Sequence, residues 1–183
     1  MHRSSFADKI ITIDPHLHRR NSMEEIYSVP CEVLHTAPLI ARWIKDNVSN
    51  GLLIGPDSES KQWVSEIARA ADVPYLILEK TRSGDRDVEI SIPRLEHYKS
   101  RIPILVDDII STGQTMIETV HHLKKANMQS CICIGIHAVF ASDAFERLKK
   151  SGAGSIITCN TIQHHSNRID VSELLVNICF NKV

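Results

Sequence analysis

The chain has 183 residues, of which 43% are hydrophobic and 23% charged, and Lys plus Arg (21) nearly balance Asp plus Glu (22) for a net charge of −1. That balance fits a soluble globular fold with a real core and excludes a disordered chain. Near-neutrality gives no electrostatic ground for nucleic acid or an anionic membrane as partner; no apolar run reaches membrane-spanning length and none follows residues 1–5, so the expected location is cytoplasmic.

In chain order, short apolar runs alternate with helical stripes. Ile10–Ile13 is a first strand, followed by Asp14-Pro15-His16-Leu17-His18-Arg19. Thr36 is a candidate N-cap for a helix carrying Leu39, Ile40, Trp43, Ile44 and Val48 at helical spacing. A strand at 52–54 leads into Gly55-Pro56-Asp57-Ser58-Glu59-Ser60, then a helix striped by Trp63, Val64, Ile67, Ala68 and Ala71. A strand at 75–78 is followed by Lys-Thr-Arg-Ser-Gly-Asp-Arg-Asp at 80–87, which reads as a mobile charged loop. Strands at 104–106, 132–136 and 156–157 are separated by helices carrying Met116, Ile117, Val120 and Leu123, then Ala144, Phe145 and Leu148. A capping box from Asp170 to Glu173 opens a last helix expected to bury Leu174, Leu175 and Ile178.

These runs are rich in Ile, Val and Leu and mostly do not alternate with polar residues, as strands of a parallel sheet covered on both faces do. The expected fold is therefore α/β, a mainly parallel sheet with helices on both faces. Its ligands bind beyond the carboxyl ends of the strands. The five cysteines form no CxxC pair, and Cys131 and Cys133 alternate along an apolar run, so they read as buried reduced thiols. His164 and His165 read as a solvated loop pair.

One segment carries chemistry. The strand Ile104-Leu105-Val106 ends in Asp107-Asp108, and Ile109-Ile110-Ser111-Thr112-Gly113-Gln114-Thr115 follows into a helix. Two acids at a strand's end can accept hydrogen bonds from vicinal sugar hydroxyls. Ser111, Thr112 and Thr115 offer hydroxyl donors, Gly113 lets the backbone approach an anion, and the helix start presents free N–H groups to a phosphate.

This string resembles the phosphoribosyl-pyrophosphate motif of the type I phosphoribosyltransferase fold. The resemblance implies that Asp107 and Asp108 hold ribose hydroxyls and that Ser111, Thr112, Gly113, Gln114 and Thr115 hold a 5-phosphate. Other segments resemble ribose-phosphate pyrophosphokinases in order along the chain: Asp14 to Arg19 its histidine segment, Gly55 to Ser60 its pyrophosphate loop, Leu78-Glu79-Lys80-Thr81-Arg82 its catalytic flexible loop, and Cys159-Asn160-Thr161-Ile162 its Thr-Asn-Thr-Ile segment.

That resemblance implies transfer of the diphosphoryl group of ATP to ribose 5-phosphate, giving phosphoribosyl pyrophosphate and AMP. Lys80 and Arg82 would stabilise the transferring group, with Arg86 a weaker candidate, and His16 and Asp57 would bind Mg2+, with His18 an equally available imidazole. Residues 1–30 look like the last strand and exit of an N-terminal domain, and residues 31–183 like the second domain. The family's adenine-contacting segments have no counterpart here, and no Walker A sequence replaces them. The strand Ile10–Ile13 must then pair with the remaining domain, pair with another chain or stay a sticky edge, which leads to the expectation of a homo-oligomer. Two other readings stay open: a phosphoribosyltransferase that uses phosphoribosyl pyrophosphate, and a non-catalytic regulatory subunit that binds a ribose phosphate.

Overall fold

A computed structural model describes residues 7–17, 20, 22–58, 60–83, 87–91 and 95–180, the side chains of 79–91, Asn177, Cys179 and Phe180 excepted. In chain order the elements are β1 (Ile10–Ile13), β2 (Cys31–Leu34), α1 (Ala37–Asn47), β3 (Gly51–Gly55), α2 (Lys61–Ala71), β4 (Tyr75–Ile77), β5 (Glu79–Ser83), β6 (Asp87–Ser91), β7 (Ile102–Ile109), α3 (Gln114–Lys125), β8 (Ile132–His137), α4 (Ala144–Lys150), β9 (Ser155–Cys159), β10 (Asn167–Ile169) and α5 (Ser172–Phe180). They form two compact units: the described residues up to Thr36 together with α5, and Ala37–Val171.

In the first unit β1 pairs in parallel with β2, Ile10 opposite Cys31 and Ile13 opposite Leu34. The strand expected to need a partner thus finds one 21 positions further along the same chain. An ion pair of Lys9 with Glu32 ties one end of the pair. At the other end Asp14 adopts a left-handed φ of 35°. Its carboxylate accepts from the Thr36 N–H (2.8 Å) and hydroxyl (2.6 Å) and meets His35 Nδ1 at 2.8 Å. Thr36, expected as a helix cap, immediately precedes α1 in the chain, and its hydroxyl donates to this knot. The last helix differs from expectation. It begins at Ser172, but Leu175 is exposed, as is Val176, and Leu174 and Ile178 are only half-buried.

The second unit is a six-stranded parallel sheet in the order β10-β9-β8-β7-β3-β4. The expected α/β architecture is therefore present. On one face Leu52, Ile54, Leu105 and Cys133 pack with Met116, Val120 and Leu123 of α3 and Leu148 of α4. On the other, a Cβ at Gly51 would meet Val48 and Val73, and one at Gly55 would meet Val64 of α2. Leu53, Ile54, Ile104 and Ile134 are fully buried, each stabilising the fold by about 1.5–3 kcal/mol relative to an exposed side chain. Cys131, Cys133 and Cys159 are buried and Cys31 is half-buried. A hydrogen bond with Cys131 and burial, both favouring the protonated form, hold the Cys133 thiol well above the usual range, which fits inert packing.

The charged stretch expected as a loop is partly sheet. β5 and β6 form an antiparallel pair, Lys80 opposite Ile90 and Arg82 opposite Val88, and Gly84, Asp85 and Arg86 lie outside the described residues. The alternation Val88-Glu89-Ile90 is the strand signal, and the charge density around it concealed that signal. Two further strands were not legible, β2 and β10, four and three residues long.

Candidate functional site

The strand order places the site. The chain runs from β3 outward to β4 on one side, then returns to β7 on the other and continues through β8 to β9. The helices after β3 and β7 consequently lie on opposite faces, α2 against Gly55 and α3 against Leu105. Where such a reversal occurs, the loops leaving adjacent strands part and open a crevice at their carboxyl ends. Asp57 follows β3 and Asp107 lies near the end of β7, one on each wall.

A pocket of about 100 Å³ lies at the carboxyl end of β7, lined by Asp107 and by residues 109–116. Asp107 and the loop 111–115 thus share one pocket wall. Asp108, adjacent on the strand, does not line this pocket. Its backbone N–H donates to Asp107 Oδ1 at 3.1 Å, and its own Oδ1 accepts from the Ile109 N–H at 2.8 Å. Successive strand residues point to opposite faces, which explains the split.

The loop closes on Gly113, whose φ of 67° is left-handed and which precedes the first turn of α3. A Cβ there would find no atom closer than 3.8 Å, so conformation rather than space demands the glycine. Ser111, Thr112 and Gln114 are exposed and Thr115 half-buried. The Gln114 side chain is fixed between Glu118 Oε1 (2.7 Å) and Arg147 (2.9 Å).

Negative charge is concentrated on the acid wall. Burial first, then the neighbouring Asp108 and Asp57 carboxylates, push the Asp107 carboxyl up to about 7, against a hydrogen bond from the Asp108 N–H that lowers it. Asp57 itself is partly engaged: its Oδ1 accepts from the Ser60 N–H at 2.9 Å, and Ser60 Oγ donates to the Asp57 carbonyl at 2.6 Å. This turn leads into α2, and Gly55 permits it, since a Cβ there would lie 2.6 Å from Ser60 Oγ.

The remaining candidates are distributed. His16 is exposed and belongs to the first unit, Asp57 to the second; His18 lies outside the described residues. Lys80 and Arg82 stand on β5, which follows β4 from the carboxyl edge of the sheet that carries Asp57 and Asp107. Among the described residues no group of three His, Cys, Asp or Glu comes together as a ready metal cage.

Three residues at this edge, His137, Phe140 and Arg147, carried no sequence signal. His137 ends β8 opposite Ile109. Its Nδ1 lies 3.0 Å from Thr161 Oγ1, whose hydroxyl donates to the Ile136 carbonyl at 2.8 Å. The single hydroxyl proton being committed, the imidazole donates from Nδ1. Phe140 and Arg147 brace the loop 110–114 through backbone and side-chain bonds. Asn160, in the Cys159–Ile162 segment singled out by the sequence, ties the end of β9 to the residues after β10, since its Nδ2 donates to Asp170 and its Oδ1 accepts from the Val171 N–H, both at 2.8 Å. His164, expected as solvated, is half-buried and stacked among Phe140, Phe145 and His165.

Comparison with known proteins agrees with this fold. The family model of the phosphoribosyl transferase domain matches residues 22–174. Ribose-phosphate pyrophosphokinases of Sulfurisphaera tokodaii and Methanopyrus kandleri are 29% and 30% identical over 171 residues, covering 92% of this chain and 57% of theirs. The chain thus spans little more than half the length of these relatives. A crystal structure of phosphoribosylpyrophosphate synthetase from Mycobacterium smegmatis superposes with a TM-score of 0.76 at 23% identity, over 94% of this chain and 58% of that one, and shares its fold.

Proposed function

The chain belongs to the phosphoribosyl transferase domain family, and on that footing we propose that it carries the ribose 5-phosphate site of a ribose-phosphate pyrophosphokinase. The observation that carries this reading is the pocket lined by Asp107 and the loop 111–115, at the carboxyl end of β7. The loop's amides and hydroxyls suit a phosphate dianion at a helix start. Asp107 and Asp108 suit the vicinal hydroxyls of the sugar, whose donation favours their ionised forms. The names of the relatives favour pyrophosphokinase over a transferase that releases pyrophosphate.

In the reaction so assigned, the 1-hydroxyl oxygen of ribose 5-phosphate bonds to the β-phosphorus of ATP. The bond from that phosphorus to the oxygen bridging to the α-phosphorus breaks, AMP leaves and the hydroxyl proton is released. Such transfer depends on positioning and on cations that neutralise developing charge. Lys80 and Arg82, on a hairpin rising from the carboxyl edge of the sheet, are assigned that role. Mg2+ would supply charge neutralisation between the phosphates. The crowding that raises Asp107 fits a hard cation near Asp57 and Asp107, and the lack of a three-residue cage among the described residues fits one that relies on water and phosphate oxygens. His16 is kept as a metal-ligand candidate on the resemblance of its segment alone. The expected remnant of an N-terminal domain at 1–30 and a cytoplasmic homo-oligomer belong to the same reading, with the exposed Ile11, Ile26 and Tyr27 of the first unit as the association surface.

The test is AMP formation by the purified chain from ATP, Mg2+ and ribose 5-phosphate. Turnover abolished by Asp107→Ala supports a complete enzyme. Ribose 5-phosphate binding without turnover supports a non-catalytic ribose-phosphate-binding chain. Failure to bind the sugar phosphate contradicts both.

A further inference from the structure

The phosphate loop is braced from outside its own motif. The Phe140 N–H donates to the Ile110 carbonyl at 2.8 Å, and the Ala141 N–H to the Ser111 carbonyl at 3.1 Å. These two bonds fix the backbone at the point where it leaves β7 and turns into the loop. The Ala144 carbonyl is the nearest backbone atom to the open side of Gly113.

The bracing segment is itself held in an unfavourable shape. Phe140 has a φ of 39° and Ser142 a φ of 53°, left-handed conformations that residues with a Cβ rarely adopt. For a bulky aromatic such a conformation persists only when its surroundings over-determine it. The Phe140 ring supplies that constraint. It stands edge-on to Phe145, centroids 5.2 Å apart at 88°, and lies against His164 at 4.6 Å. His164 in turn packs on Phe145 at 5.0 Å and on His165 at 4.1 Å. Its imidazole is fixed by Ser166, with Nδ1 at 2.7 Å from the hydroxyl and 3.2 Å from the N–H, and its backbone N–H by Asn167 Oδ1 at 2.8 Å.

Backbone strain, the bond to Ile110 and a ring clasped by aromatics meet at Phe140, and its neighbour Ala141 supplies the second bond, to Ser111. We propose that Phe140 is a positioning residue for the sugar-phosphate loop, holding Ile110 and Ser111 in the shape that binds a 5-phosphate, with Phe145 and His164 as its clasp. The proposal deepens the reading of the site as a ribose 5-phosphate site and rests on it for its ligand, but not for its conformational content.

The experiment compares the full chain with Phe140→Gly, Phe140→Tyr and Phe145→Leu. Glycine accepts the left-handed backbone but lacks the ring, so it separates the clasp from the conformation. Amide hydrogen exchange of the ligand-free proteins is read at 111–115 and, for reference, at 104–106 and 132–136. Exchange in the loop should rise about tenfold in Phe140→Gly, less in Phe145→Leu and not in Phe140→Tyr, with the reference strands unchanged. Ribose 5-phosphate and inorganic phosphate should both bind about tenfold more weakly to Phe140→Gly, with Phe140→Tyr restoring affinity. Unchanged loop exchange in Phe140→Gly, or in Phe145→Leu should the glycine variant not fold, overturns the proposal. So does a rise shared equally by loop and strands, which would mark a merely structural ring. If the parent chain binds neither ligand, the site reading fails while the exchange result still decides the role of Phe140.

Discussion

Asp107 shows what a side chain's surroundings do to its chemistry. Its carboxyl is raised from 3.8 to about 7, by burial first and then by Asp108 and Asp57. Between those values the folded protein keeps a proton that the unfolded chain has released. Stability therefore falls as pH rises through this window, and the loss is complete above about 7. Asp107→Asn removes the penalty. In chelator and without ligand, the variant should match the parent below pH 4. By pH 8 it should exceed it by on the order of 2 kcal/mol, after discounting the full shift for partial exposure. Urea unfolding at pH 4 and pH 8 checks this, and an equal difference at both would contradict the assigned cause. The gain in stability accompanies a loss of function, as is common where like charges are gathered to meet a ligand.

At the scale of elements, Gly135 couples β8 to the phosphate loop. It pairs with Asp107 across the sheet, and a Cβ on it would lie 2.5 Å from the Ile110 side chain. Ile110 is buried and begins the turn out of β7, so it has no room to retreat. Gly135→Ala should cost about 1–3 kcal/mol by overpacking and weaken ribose 5-phosphate binding, measured by thermal unfolding and calorimetry. Normal binding with normal stability would show that Ile110 moves freely. The phosphate loop itself was legible in the sequence because strand, acids, glycine and helix are contiguous from Ile104 to Thr115. Its supports were not. Phe140, Arg147 and Gly135 lie some 20–35 positions downstream, and nothing local in the sequence marks a residue that serves to hold another segment. The β5–β6 hairpin was missed for another reason. Lys80, Arg82 and Asp87 dominate its composition, whereas its pairing is set by the alternation through Val88 and Ile90. Leu174, Leu175 and Ile178 were expected to be buried from periodicity alone, which cannot tell a core from a surface awaiting a partner.

For the molecule as a whole, the parallel sheet and its helices follow from the Ile-, Leu- and Val-rich runs, and the strand order makes the site from them. The first unit has a different character, a parallel pair of strands and a helix with Leu175 and Val176 exposed. Edges and apolar side chains of this kind favour association. Ile11→Lys should shift the chain toward monomer in gel filtration at matched concentration, and an unchanged elution would remove the first unit as an association surface.

The most direct measurement is a titration of the isotope-labelled chain with ribose 5-phosphate, followed by the backbone amide resonances. Saturable shifts centred on 107–115, absent with unphosphorylated ribose at the same concentrations and abolished by Asp107→Ala, are the predicted result. Saturable shifts centred elsewhere, or none at millimolar ligand, would contradict the assignment of this crevice as a sugar-phosphate site.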